Sequence, residues 1–183
     1  MPIKACVFDA YGTLFDVAAA ARIAAAEPEH AKLAAIWPQL AEIWRSKQLQ
    51  YTWLRAITGD YTDFWQVTQD GLDFAMAALS LEGEAEMRER LLALYWELQA
   101  YEEVPEILAK LKEQGFITAI LSNGSPDMLN GAVRSAGLEQ AGACGYGFQT
   151  VWVNRAGDPR DNLPAEPNFE LDDLTLIPDL ASR

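Results

Sequence analysis

Asp9 is the residue of this chain best placed to do chemistry, because it stands where the apolar run Ile3 to Phe8 gives way to Tyr11-Gly12-Thr13. A second apolar run, Phe116 to Leu121, ends in Ser122-Asn123-Gly124-Ser125-Pro126. A carboxylate flanked by hydroxyl and amide donors stays ionised at neutral pH, as a nucleophile or a metal ligand requires. Thr13 could add a hydrogen bond from within the same turn, although Asp9 and Thr13 are equally spaced to cap a following helix. His30 is the only histidine. It lies in Glu27-Pro28-Glu29-His30-Ala31, where a helix start is expected, and so reads as a surface residue. Ser-His-Asp triads and His-rich zinc sites are thereby excluded, leaving carboxylate, hydroxyl, amide and cation chemistry.

The elements that must hold these residues are legible around them. Ile3 to Phe8 reads as a buried parallel strand, and in open α/β sheets the ligand crevice lies outside the carboxyl ends of such strands. Val104 to Gln114 reads as an amphipathic helix closed by Gly115, and Phe116 to Leu121 as a second buried strand. Ser125 then caps a helix that Pro126 begins and that runs towards Leu138. Thr150 to Asn154 suggests a third strand after the Gly-rich Ala141 to Gly147; past Arg155 the chain is loop-like, with Leu171 to Ile177 as a closing element. From Val17 to Leu98 the pattern is helical, interrupted at Gly59, Gly71 and Gly83. Within it, Ile43 to Leu54 mixes aromatics and cations and could face a cleft. Taken alone, Trp44 and Trp53 read as helix-to-helix packing.

The 183 residues, half of them hydrophobic, suffice for one sizeable core plus a smaller appended unit. Two cysteines, Cys6 and Cys144, without paired spacing point to a reducing compartment. A carboxylate as early as Asp9 interrupts any secretory apolar region, and no later run approaches membrane-spanning length, so a soluble cytoplasmic protein is expected. The net charge of -13 argues against a nucleic-acid partner. An anionic substrate needs a local cation.

Three segments carry a family resemblance. Phe8-Asp9-Ala10-Tyr11-Gly12-Thr13-Leu14-Phe15, Trp44-Arg45-Ser46-Lys47-Gln48-Leu49-Gln50-Tyr51-Thr52-Trp53-Leu54, and Ile120 to Pro126 resemble the first motif, cap segment and second motif of the haloacid dehalogenase superfamily. Within it they are most similar to the type II L-2-haloacid dehalogenases, whose last core strand Gly147 to Arg155 also resembles. The resemblance implies a shortened Rossmann-like parallel core of residues 1–15 and 99–183 with a helical cap over 16–98. It implies that Asp9 displaces halide from C2 of a small 2-haloacid to form an ester that water hydrolyses. Arg45 would receive the halide, Ser122 and Asn123 would hold the substrate carboxylate, and Thr13 would support the nucleophile. Ala10, Tyr11, Leu49 and Phe64 would line the apolar pocket; Ser46 stands where relatives often carry Gln. No metal, cofactor or membrane is implied, and a homodimer is expected by analogy.

Tyr11 bears on the choice between dehalogenase and phosphatase. Phosphatases of this superfamily place a second Asp there, because an alkoxide leaving group needs a proton and Mg²⁺ balances the phosphate charge. Halide needs neither. In the drier pocket that an aromatic ring leaves, an Arg at ~4 Å contributes about 4 kcal/mol at an effective dielectric near 20. The alternative for Arg45 is a surface ion pair with Glu42, contributing less than about 1 kcal/mol.

The sequence also departs from the resemblance. A third motif with a Lys beside the nucleophile, and a fourth with Ser, Asn and Asp that activates water, have no counterpart. Between Leu138 and Gly147 the chain runs Glu139-Gln140-Ala141-Gly142-Ala143-Cys144-Gly145-Tyr146, a loss of at least a βαβ-sized piece, about 30 residues. Lys110 and Lys112 read as solvent-facing, and Asp158 and Asp161 as ordinary loop acids. Three functions are compatible with this pattern: an active dehalogenase, a degenerate member that only binds, or a phosphatase, which Tyr11 disfavours.

Overall fold

β1 (Ala5–Phe8) and β2 (Ile117–Ile120) pair in parallel, Ala5 opposite Ile117 and Phe8 opposite Ile120, in the computed structural model of the protein, which describes residues 3–136, 151–160 and 167–182. The ladder runs one step further, because the Leu121 N–H donates to the Phe8 carbonyl at 2.8 Å. The turns that begin at Asp9 and Ser122 therefore leave the sheet side by side.

Between the two strands the chain makes α1 (Ala19–Ala26), a 3₁₀ turn (Pro28–Leu33), α2 (Trp37–Thr58), α3 (Phe64–Ala78), α4 (Ala85–Trp96) and α5 (Val104–Glu113). Gly59 ends α2 in the left-handed region at φ +74, with its N–H on the Arg55 carbonyl. Asp63 starts α3 by accepting the Gln66 N–H at 2.8 Å. Gly71 does not interrupt the helical block as the sequence suggests; it lies inside α3, where a Cβ would meet the Gln48 N at 3.2 Å and the Trp44 carbonyl at 3.3 Å. The small residue lets two helix backbones approach closely. Along α2 the buried positions Leu40, Trp44 and Gln48 recur every fourth residue. Trp53, read from sequence as packing, is instead exposed, and Trp44 is buried as expected.

His30 also departs from expectation, being buried at 8% exposure. Its Nε2 lies 3.7 Å from Glu27, and Glu27 is in turn bound by Arg90 of α4. The 3₁₀ turn is thus pinned against a helix sixty residues on, a contact that no local pattern carries.

The chain leaves the first strand's turn and returns to it at one place. The Asp16 N–H donates to the Gln99 carbonyl at 2.9 Å and the Tyr101 N–H to the Leu14 carbonyl at 3.1 Å. After β2, Ser125 accepts the Met128 N–H and Pro126 opens α6 (Pro126–Ser135), as the sequence suggests. β3 (Val151–Val153) pairs in parallel with β4 (Phe169–Leu171), and α7 (Ile177–Ala181) follows. The closing element expected over Leu171 to Ile177 is the link between β4 and α7, because the short strand and helix fall on either side of it. Helices flank short, all-parallel strands, which is the α/β class expected. Among the described residues, β3–β4 forms a sheet separate from β1–β2. Cys144, the rest of the Gly-rich stretch and Asp161 lie outside the described residues. Among those described, no helix is long and apolar enough to cross a membrane.

Candidate active site

The turn after β1 is wound around one carbonyl. The N–H groups of Thr13, Leu14 and Phe15 all donate to the Ala10 carbonyl, and the Gly12 N–H donates to Phe15 at 2.8 Å, with Gly12 at φ +93. This geometry aims the Thr13 hydroxyl at Asp9, where Oγ1 donates to Oδ2 at 3.2 Å. The capping alternative fails, since α1 starts at Ala19 and Asp16 accepts the Ala18 N–H. Asp9 remains open to solvent, yet protein packed around its carboxyl pushes its pKa above the ordinary value; the Ala10 N–H, Thr13 and Arg45 pull it back down.

Arg45 reaches this turn from α2. Its Nη2 donates to the Tyr11 carbonyl and its Nη1 to Gln48 Oε1, each at 2.9 Å. Glu42 is not its partner. Both of its partners are neutral oxygens, and its charge is among those that lower the Asp9 pKa. Gln48, Thr68 and Tyr95 form a buried network behind it, which sequence reasoning missed. The fourfold spacing Leu40-Trp44-Gln48, a polar residue in an apolar stripe, was the available signal.

Tyr11 joins the two strand-end turns. Its ring stacks on Tyr95 at 5.8 Å and lies 5.3 Å from Phe64, which is buried. Burial pushes the Tyr11 pKa up, so its hydroxyl stays protonated. From the other turn Gly124 packs on the ring, where a Cβ would lie 2.8 Å from Cε2 and 2.9 Å from the hydroxyl. Gly124→Ala should therefore displace Tyr11, lowering stability by about 1–3 kcal/mol in urea unfolding and reducing turnover with it. Ser122 accepts the Gly124 N–H at 3.2 Å, which leaves its own proton free to donate outward, and Asn123 is exposed beside it. Ala10 is fully buried; Leu49, the residue after Gln48, is half-buried.

Arg155, also missed, braces the turn from beyond β3. It donates to the Thr13 carbonyl at 2.9 Å, pairs with Glu103, and lies 3.7 Å over the Tyr101 ring. Asp158 belongs to a local loop, its N–H on Asn154 Oδ1. Lys110, expected to face solvent, pairs with Asp179 on α7 with both side chains exposed. Among the described residues no group of three or more His, Cys, Asp or Glu could hold a metal ion. An open depression lined by Tyr51, Leu54, Arg55, Asp70 and Asp73 shares no residue with this constellation.

The model of the haloacid dehalogenase-like hydrolases matches residues 3–156. The chain belongs to that family. It is 35% identical to (S)-2-haloacid dehalogenase 1 of Pseudomonas sp. (strain CBS-3), over all of this chain and 98% of that protein. A crystal structure of an L-2-haloacid dehalogenase superimposes with a TM-score of 0.85 at 31% identity, covering all of both chains. The L-2-haloacid dehalogenase of Xanthobacter autotrophicus, with chloropropionic acid covalently bound, gives 0.62 at 43% identity over 74% of this chain and 53% of that one. The alignment to the Pseudomonas enzyme runs over 228 positions against 183 residues here, so that relative carries residues with no counterpart in this haloacid dehalogenase-like hydrolase.

Proposed function

We propose that this chain converts short-chain L-2-haloacids to 2-hydroxy acids through an ester on Asp9. The observation that carries this reading is Arg45, a cation fixed by two neutral oxygens beside the strand-end carboxylate, with its charge left for an anion. Asp9 Oδ attacks C2, the new C–O bond forms as the C–halogen bond breaks in line, and halide leaves with the bonding pair towards Arg45. Water then adds to the ester carbonyl, releasing the hydroxy acid with inverted C2 and restoring the carboxylate. Ser122 and Asn123 hold the substrate carboxylate; Ala10, Tyr11, Leu49 and Phe64 bound the apolar side; Thr13 orients Asp9. The reading is metal-independent, because an expelled halide needs neither a proton nor a Lewis acid.

The same reading divides the chain into a core of 1–15 and 99–183 and a helical cap of 16–98. Its support is the paired exit and return at Asp16–Gln99 and Tyr101–Leu14, the two hydrogen bonds where a hinge belongs. A cytoplasmic homodimer completes it, with two cysteines in support of the compartment and the exposed Trp53, Leu54 and Ile57 of α2 as apolar surface for a second copy.

The test is chloride release from L- and D-2-chloropropionate, with Mg²⁺-dependent phosphate release from p-nitrophenyl phosphate as the opposing arm. Chloride from the L-enantiomer alone, unaffected by EDTA, is expected. Phosphate release without chloride release overturns the proposal.

A further inference from the structure

We infer that Gln48 is a positioning residue for the halide site, holding the Arg45 guanidinium through a neutral oxygen so that the cation is fixed but not neutralised. This rests on Arg45 as the halide acceptor proposed above. Gln48 is 1% exposed on α2, with its amide surrounded by three partners. Oε1 accepts from Arg45 Nη1 at 2.9 Å, and Nε2 donates to Thr68 Oγ1 at 2.7 Å and to the Tyr95 hydroxyl at 2.9 Å. Thr68 decides which way the amide faces. Its single proton goes to the Phe64 carbonyl at 2.7 Å, so it offers Gln48 only lone pairs and must meet the NH₂ end. The oxygen end is then turned to Arg45.

A carboxylate at position 48 would have the same shape and would grip Arg45 more strongly, but it would cancel the charge. Six other arginines among the described residues take that course. Arg22, Arg55, Arg88, Arg90, Arg155 and Arg160 each pair with an Asp or Glu, as expected at a net charge of -13. Arg45 instead rests on an amide oxygen and the Tyr11 backbone carbonyl. Trp44, one residue before Arg45, anchors the same helix face by donating to the Thr68 carbonyl at 2.8 Å. The amide is thus set in a frame that spans α2, α3 and α4.

The experiment compares wild type, Q48E, Q48L and R45M by chloride NMR line broadening against added NaCl, with urea unfolding to count folded protein. Wild type should broaden the chloride line and R45M should not. Q48E should stay folded, since the Tyr95 hydroxyl and Arg45 can both donate to the new carboxylate, and should lose chloride binding by on the order of tenfold or more. Q48L should weaken chloride binding and slow the single-turnover chloride burst by on the order of tenfold, because the guanidinium loses one anchor where charge develops. Chloride affinity and burst rate equal to wild type in the folded variants overturn the inference, leaving Gln48 a merely structural residue. Wild type and R45M that broaden chloride alike overturn the Arg45 reading itself and this inference with it.

Discussion

Asp9→Asn is expected to abolish chloride release from L-2-chloropropionate, with a fall in kcat on the order of 10⁴-fold or more, as for removal of a covalent nucleophile. The amide is nearly isosteric, and its oxygen can still accept the Thr13 hydroxyl that reaches Asp9 at 3.2 Å. Loss of activity would therefore report lost nucleophilicity and not a rearranged turn. Stability provides the control. The Asp9 pKa is raised in the folded chain, chiefly by burial, so folding favours the protonated form. The stabilising contribution of that proton is complete below the unfolded pKa and disappears as pH rises through the raised folded value. At pH 7 the native state carries the cost of an ionised, partly desolvated carboxyl, and a neutral Asn removes it. Asp9→Asn should accordingly unfold in urea at a concentration no lower than wild type. An inactive and destabilised variant would point to a structural role for Asp9 and against the proposed chemistry.

The sequence was most informative where function depends on what a strand must end in. Asp9, Thr13, Ser122 and Asn123 follow apolar runs that read as strands, and β1 and β2 bring those ends together in parallel, although the burial expected of both runs is only partial, with Ile117 and Leu121 exposed. Ser125 and Pro126 were legible because capping is local chemistry. Gln48, Thr68 and Tyr95 were not, because each lies on a different helix and their meeting depends on how α2, α3 and α4 pack. A glutamine among lysines and tyrosines looks solvated until the partner helix is known. His30 failed for the same reason in reverse: Glu and Pro neighbours suggested surface, but the Glu27–Arg90 pair fastens that turn to α4. Arg155 reaches the Thr13 carbonyl from 142 positions along the chain, beyond any periodicity. Among the described residues β3–β4 forms a sheet separate from β1–β2, and it is between Leu138 and Gly147 that the family resemblance implies a missing strand and helix.

That gap sets the second large effect. Incubation with L-2-chloropropionate should give a rapid burst of about one chloride per chain, followed by much slower release, with mass spectrometry finding an adduct of substrate less HCl on Asp9. The first step needs only groups that the described residues supply: the carboxylate, the Arg45 cation and a pocket around Tyr11. The second step needs a base for water, and none of the described groups near Asp9 serves. Thr13 donates its proton to Asp9. Burial raises the pKa of Tyr11, and that of Tyr95 to about 12, so both hydroxyls are protonated at neutral pH. His30 sits with Glu27 on the 3₁₀ turn, and Asp16 is engaged by Arg22. The Lys of the third motif and the Ser, Asn and Asp of the fourth have no counterpart in the sequence. Water attack on the ester then proceeds without general-base assistance, typically worth 10²–10⁴-fold. Hydrolysis becomes rate-limiting, and the ester accumulates. Asp9→Asn should eliminate burst and adduct together. Steady chloride release without a burst, and with no retained adduct, would mean that another group activates the water and that the shortened chain turns over as its relatives do.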